Sequence, residues 1–152
     1  MQVAPKNKIT TFEIADAPLG LKFNTLFKVY YSQVEANLNT LDFDRYFYAL
    51  SLICKHKETT QQCLANCLQV DKATMVRVID YLTQKDLVKR EPHKEDRRAY
   101  VLKPTAKALK ALPSIETAFS QLNKTAFKGF TADEKKDFLA LMSKMHTNLT
   151  TS

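Results

Sequence analysis

Residues 59–102 read TTQQCLANCLQVDKATMVRVIDYLTQKDLVKREPHKEDRRAYVL, and the changes of hydrophobic period inside that stretch decide the fold. Thr59-Thr60-Gln61-Gln62 has the form of a capping box, Thr59 to Gln62, which satisfies orphan donors at a helix start. It opens a short helix that buries Leu64, Ala65 and Leu68. Gln69-Val70 is a tight connection, and Asp71 is a good N-cap, its carboxylate accepting from the N–H groups of the next turn. Met75, Val78, Ile79 and Leu82 then fall at i, i+3, i+4 and i+7, a single helical stripe that leaves Lys72, Thr74, Arg77 and Tyr81 on other faces. This helix ends near Lys85-Asp86, with Asp86 in the left-handed cap that glycine usually fills. Residues 87–90 and 98–102 alternate as two short strands, and the polar, charged segment 91–97 between them is a turn.

Working outward, apolar residues recur at helical spacing from Leu19 to Leu41, which predicts a long amphipathic helix. A second helix is expected over 44–56. Beyond the hairpin, Pro104-Thr105 starts another long helix, in which Pro113 predicts a kink or a break. Phe127-Lys128-Gly129-Phe130 makes a turn, and Thr131 to Glu134 is a second capping box that opens a last helix through Leu149. The chain is therefore expected to be mainly α with a small β-hairpin. Its 152 residues hold only two glycines and five prolines, too few turn-formers for a many-stranded sandwich or a glycine-rich phosphate loop.

Charge is unevenly spread. The net charge is +7; residues 55–110 hold thirteen basic and seven acidic side chains, whereas residues 1–54 hold five of each. An excess of +6 in the middle third is the footprint expected of a surface that meets a polyanion. Several classes drop out. No apolar run approaches the roughly 20 residues of a membrane span. No secretory leader is visible at the N-terminus, and three cysteines give no disulfide framework, so a cytoplasmic location is expected. His56, His93 and His146 are scattered without ligand spacing, and no cofactor is expected. No nucleophile elbow, paired carboxylates or phosphate-binding lysine motif is present, which argues against an enzyme.

Short helix, tight turn, helix and basic hairpin, in that order, describe a winged helix-turn-helix, whose second helix enters the major groove while the first crosses the backbone. Lys72, Ala73, Thr74 and Arg77 suit a groove-facing helix: short side chains at its start, then an arginine able to grip guanine O6/N7, with Val76 available to a thymine methyl. Thr60 and Gln61, at the start of the first helix, and Tyr81 join the DNA-contacting set. In the wing, Lys94 and either Arg97 or Arg98 meet the concentrated negative potential of a narrow minor groove.

Gln62-Cys63-Leu64-Ala65, Asp71 to Arg77, Leu87-Val88-Lys89-Arg90 and Asp96-Arg97-Arg98 together resemble the core of the MarR family of bacterial transcriptional regulators. The flanking helices resemble it as well. Glycines usual in the family are replaced by Asp86 and Gln69. The resemblance implies one domain spanning 1–152, with a winged core at about 44–103 and dimerisation helices at about 19–41 and 105–149. It also implies a homodimer on palindromic double-stranded DNA, a repressor released by a small aromatic or anionic effector, and an Asp96 that positions Arg98. Apolar stripes on the outer helices, longer than one small winged domain covers, call for the same two-fold pairing.

Two further features have open readings. Phe23, Phe27, Tyr30, Tyr46 and Phe47 either line a ligand pocket or belong to core and dimer interface. Cys63 and Cys67 either act in thiol-based redox sensing or pack as small semi-apolar side chains; at i and i+4 their Cβ atoms are about 5–6 Å apart, too far for an unstrained mutual disulfide. From a different class, a winged helix that has lost base readout serves as an interaction or sensing module.

Overall fold

The computed structural model describes residues 14–56, 58–94 and 100–151. A 3-10 turn, Ile14–Asp16, precedes α1 (Leu19–Asn37), α2 (Phe47–Lys55), α3 (Gln61–Leu68) and α4 (Lys72–Gln84). Strands β1 (Val88–Pro92) and β2 (Tyr100–Pro104) follow, then α5 (Ala106–Ala126) and α6 (Ala132–Thr150). The strands form one antiparallel pair in the register Val88↔Pro104, Arg90↔Leu102 and Pro92↔Tyr100.

One hydrophobic core unites these elements. Phe47, Leu50 and Ile53 of α2, Leu64 of α3, and Met75, Ile79 and Leu82 of α4 meet Leu87, Leu102 and Ile115, all of them closed to solvent. Burial of each such side chain contributes about 1.5–3 kcal/mol, so the expected α4 stripe of Met75, Val78, Ile79 and Leu82 orients that helix by its apolar face. Leu102 N–H donates to the Thr59 carbonyl at 2.8 Å, and Thr60 bridges to Val101. These bonds stitch the chain entering α3 onto the hairpin.

Local signals held at several ends. Thr131 accepts from the Glu134 N–H while the Glu134 side chain accepts from the Thr131 N–H, a complete capping box. Asp86 is left-handed at φ 55° and Gly129 at φ 87°.

Other boundaries differ from expectation. The hydroxyl that caps α3 belongs to Thr60, which accepts from Cys63 N–H at 3.2 Å. Thr59 is buried and donates instead to the His56 carbonyl, because the bridge to β2 draws it inward. Helix α1 stops at Asn37 and α2 begins only at Phe47. Between them Lys85 Nζ grips the Asp42 carbonyl at 2.9 Å, Lys107 Nζ grips the Asp42 carboxylate, and Tyr46 takes a left-handed φ of 64°. Strand β1 lies further along the chain than the alternation suggested, and β2 runs on to Pro104. Leu87 N–H closes the end of α4 on the Leu82 carbonyl, and Leu87 O accepts from Thr105 N–H, so the ladder starts at Val88 and takes in Glu91 and Pro92, which were expected in the turn. Helix α5 continues through Pro113 without a break.

Helix α6 buries none of its residues. Leu139, Leu141, Met142 and Leu149 on it, and Leu19, Leu21, Leu26, Phe27 and Val29 on α1, stand exposed in the single chain. Exposed apolar area of this extent marks a contact surface in soluble proteins.

Candidate nucleic-acid interface

The connection between α3 and α4 fixes their crossing. Gln69 is left-handed at φ 51°, a conformation that costs a non-glycine residue roughly 1–2 kcal/mol. Val70 N–H returns to the Ala65 carbonyl at 3.1 Å, and Gln69 Nε2 donates to the Asn66 carbonyl at 2.7 Å. These bonds satisfy the end of α3 within a tight turn, as such caps do.

Helix α4 then starts on a doubly used carboxylate. Asp71 accepts from the Thr74 N–H and from the Thr74 hydroxyl, both at 2.7 Å. These bonds, the backbone one first, hold the Asp71 carboxyl below its ordinary range. Arg77 Nη2 in turn donates to Thr74 Oγ1 at 3.1 Å, so Asp71, Thr74 and Arg77 form one ordered row. Lys72, Ala73, Val76 and Arg77 are exposed while Thr74 is half-buried. The buried stripe points the opposite way, leaving the N-terminal half of α4 clear.

The wing is tied to the same helix. Arg90 on β1 reaches Asp80 on α4 at 2.6 Å. Thr60, Gln61, Gln62, Lys72, Arg90 and Tyr100 line one groove of about 270 Å³ between α3, α4 and the hairpin. Thr60 and Gln61, expected at the surface crossed by a backbone, lie on this groove. Arg90 and Tyr100 were missed; strand alternation alone does not say that Arg90 turns toward α4. Lys94 is exposed beyond the strand. Asp96, Arg97 and Arg98 lie outside the described residues, as do the expected strand residues 98 and 99.

Tyr81, expected among the DNA contacts, is held by the loop before α2. Its hydroxyl donates to Asp44 Oδ1 at 2.8 Å and accepts from Asp44 N–H at 3.2 Å. Its ring meets Tyr46 edge-on at 5.3 Å, with the Arg45 guanidinium over it. The side chain is thus committed to the 42–46 loop and braces the far end of α4. Arg45 first and Tyr81 second hold the Asp44 carboxyl well below the usual carboxylate range.

The five aromatic residues considered for a ligand pocket are divided among different tasks. Phe47 is closed to solvent in the core, against Phe43 at 5.6 Å; with no surface to offer, it does not line a pocket. Tyr30 donates to Asn123 Oδ1 at 2.7 Å, joining α1 to α5. Tyr46 packs on Tyr81, and Phe27 stacks on Tyr31 at 5.7 Å. Phe23 and Phe27 remain exposed on α1. Burial drives the Tyr48 hydroxyl up to about 12, beneath Phe119 at 5.0 Å. Cys63 and Cys67 are exposed and Cys54 is half-buried, the Cys54 thiol being pushed up chiefly by burial. Among the described residues no helix is long and apolar enough to cross a membrane.

Comparison with known proteins agrees with this geometry. Residues 43–99 match the MarR family. A MarR protein from Peptoclostridium difficile is 27% identical with a TM-score of 0.81, the match covering 97% of this chain and 95% of that one. A putative MarR family transcriptional regulator from Listeria monocytogenes, complexed with 26mer DNA, shares 22% identity with a TM-score of 0.82 over 88% of this chain and 89% of its own. The S. aureus MepR–DNA complex shares 18% identity with a TM-score of 0.80 over 88% and 99% respectively. The latter two are similarities of fold.

Proposed function

We propose that this chain, whose residues 43–99 match the MarR family, is a member of that family and a sequence-specific regulator of transcription that binds double-stranded DNA as a homodimer. The observation that carries this reading is the clear N-terminal half of α4, with Lys72 and Arg77 exposed and Arg77 ordered on Thr74, beside a basic hairpin. In this reading Lys72, Ala73, Thr74, Val76 and Arg77 enter the major groove, and Thr60 and Gln61 meet the backbone. Lys94 and either Arg97 or Arg98, the latter positioned by Asp96, follow the adjacent minor groove. The two relatives whose structures contain DNA support the assignment.

The exposed apolar faces of α1 and α6 are the pairing surface, and two-fold pairing sets half-sites about one helical turn apart. The regulator acts as a repressor released by a small aromatic or anionic effector. Phe23 and Phe27, exposed on α1, and the partly exposed Tyr30 and Tyr46 are the aromatic residues offered to that effector.

Selection from random duplexes tests the central statement. A palindrome should be enriched, and log K should fall with log[salt] at about −0.9 per neutralised phosphate. Absence of any duplex binding at low salt refutes DNA recognition. Binding without enrichment identifies a winged helix without base readout.

A further inference from the structure

Cys63 and Cys67 lie one turn apart on α3, both exposed. Both face the same cavity of about 700 Å³ between α2 and α3, whose wall includes Leu52, His56 and Leu64. None of the residues proposed above for DNA contact or pairing lines this cavity, and its α3 residues, Cys63, Leu64 and Cys67, are different from those on the groove against the wing, Gln61, Gln62 and Ala65.

Helical i,i+4 spacing puts the two Cβ atoms about 5–6 Å apart, beyond the roughly 3.5–4.5 Å that a disulfide tolerates. A soft atom set between the sulfurs, at roughly 2.3 Å from each as in zinc thiolates, spans that gap without moving the helix. Among the described residues no group of three or more His, Cys, Asp or Glu is placed to hold a metal ion, so a tetrahedral ion finds too few donors. A centre that needs two thiolates and carries its own third substituent is matched better, the more so because Leu52 and Leu64 offer that substituent apolar contact.

We infer that Cys63 and Cys67 form a dithiol site for a trivalent arsenical bearing one apolar substituent, which the α2–α3 cavity receives. The chemistry is a condensation. Two As–S bonds form and the arsenic–oxygen double bond breaks; each thiol gives its proton to that oxygen, which leaves as water. Arsenic stays trivalent, sulfur keeps its oxidation state, and no oxidant or reductant takes part. The site stands independently of the DNA-binding reading.

The test uses the reduced full chain and phenylarsine oxide, read by intact mass and by titration of reactive thiols. One adduct per protomer is expected, with two of the three thiols protected and release by a competing small dithiol. Cys63→Ser and Cys67→Ser should each weaken retention by about 100-fold or more, the cost of losing the intramolecular second bond. Cys54→Ser should retain the adduct. Circular dichroism of each variant reports that its helices are intact, and thiol protection in the unsubstituted chain reads the site without any variant. Unprotected thiols, an adduct that survives either single substitution, or one lost with Cys54→Ser overturns the site. Retention of inorganic arsenite as tightly as phenylarsine oxide overturns the role given to the cavity.

Discussion

Replacing Tyr81 with phenylalanine separates two roles for the only aromatic residue on α4. The substitution keeps the ring that meets Tyr46 at 5.3 Å and deletes the hydroxyl that donates to Asp44 Oδ1 at 2.8 Å and accepts from Asp44 N–H at 3.2 Å. Each such bond contributes about 0.5–1.5 kcal/mol net. Water reaches this site and partly replaces both bonds, so their joint loss should cost about 1 kcal/mol. For a chain of this size that corresponds to a fall in Tm of about 2–4 °C. Urea unfolding at fixed protomer concentration is the assay, because mass action makes the stability of a dimer depend on concentration. The midpoint should drop while the slope stays constant. Asp44→Asn in the same background should add less than it does alone, since the two groups share one interaction. A salt slope of duplex binding unchanged by Tyr81→Phe completes the expectation. An unchanged midpoint together with a shallower salt slope refutes the bracing role and returns the hydroxyl to a phosphate.

Arg77→Ala should cost about 1–3 kcal/mol of duplex affinity and relax discrimination at one base position, read by competition between single-base variants of the selected site. Thr60→Ala should cost about 1 kcal/mol through loss of the α3 cap, measured by denaturation; no loss would show that its bond to Cys63 N–H is not a working cap. Leu141→Glu or Leu26→Glu places a charge on an exposed apolar face and should convert the proposed dimer to monomer in sedimentation, with loss of duplex binding but retention of helical signal; an unsubstituted chain that sediments as a monomer refutes the pairing. Stability should fall as the solution is acidified below about pH 4, the ordinary carboxylate value. Asp42, Asp44, Asp71 and Glu134 all have lowered folded-state pKa values. Such groups stabilise the fold above their unfolded pKa and cease to as pH falls through the folded one. Asp44→Asn should flatten that acid limb, and an unaltered limb would exclude Asp44 from it.

The sequence by itself determined what depends on neighbours within a few residues. Met75, Val78, Ile79 and Leu82 name the buried face of α4 because helical spacing alone aligns them, and Asp71, Asp86 and the Thr131–Glu134 box mark ends that close on their own hydrogen bonds. The exposure of Lys72 and Arg77 follows from the same geometry. Only the tertiary structure decided the features that rest on distant partners. Thr59 gives up the cap to Thr60 because β2 claims its carbonyl, α2 starts late because Lys85 and Lys107 seize Asp42, and Tyr81 turns from solvent toward Asp44. Arg90 belongs to the groove because Asp80 lies within reach across α4. Periodicity reports which side of an element is apolar; which polar group meets which depends on where other elements pack, and no local pattern carries that.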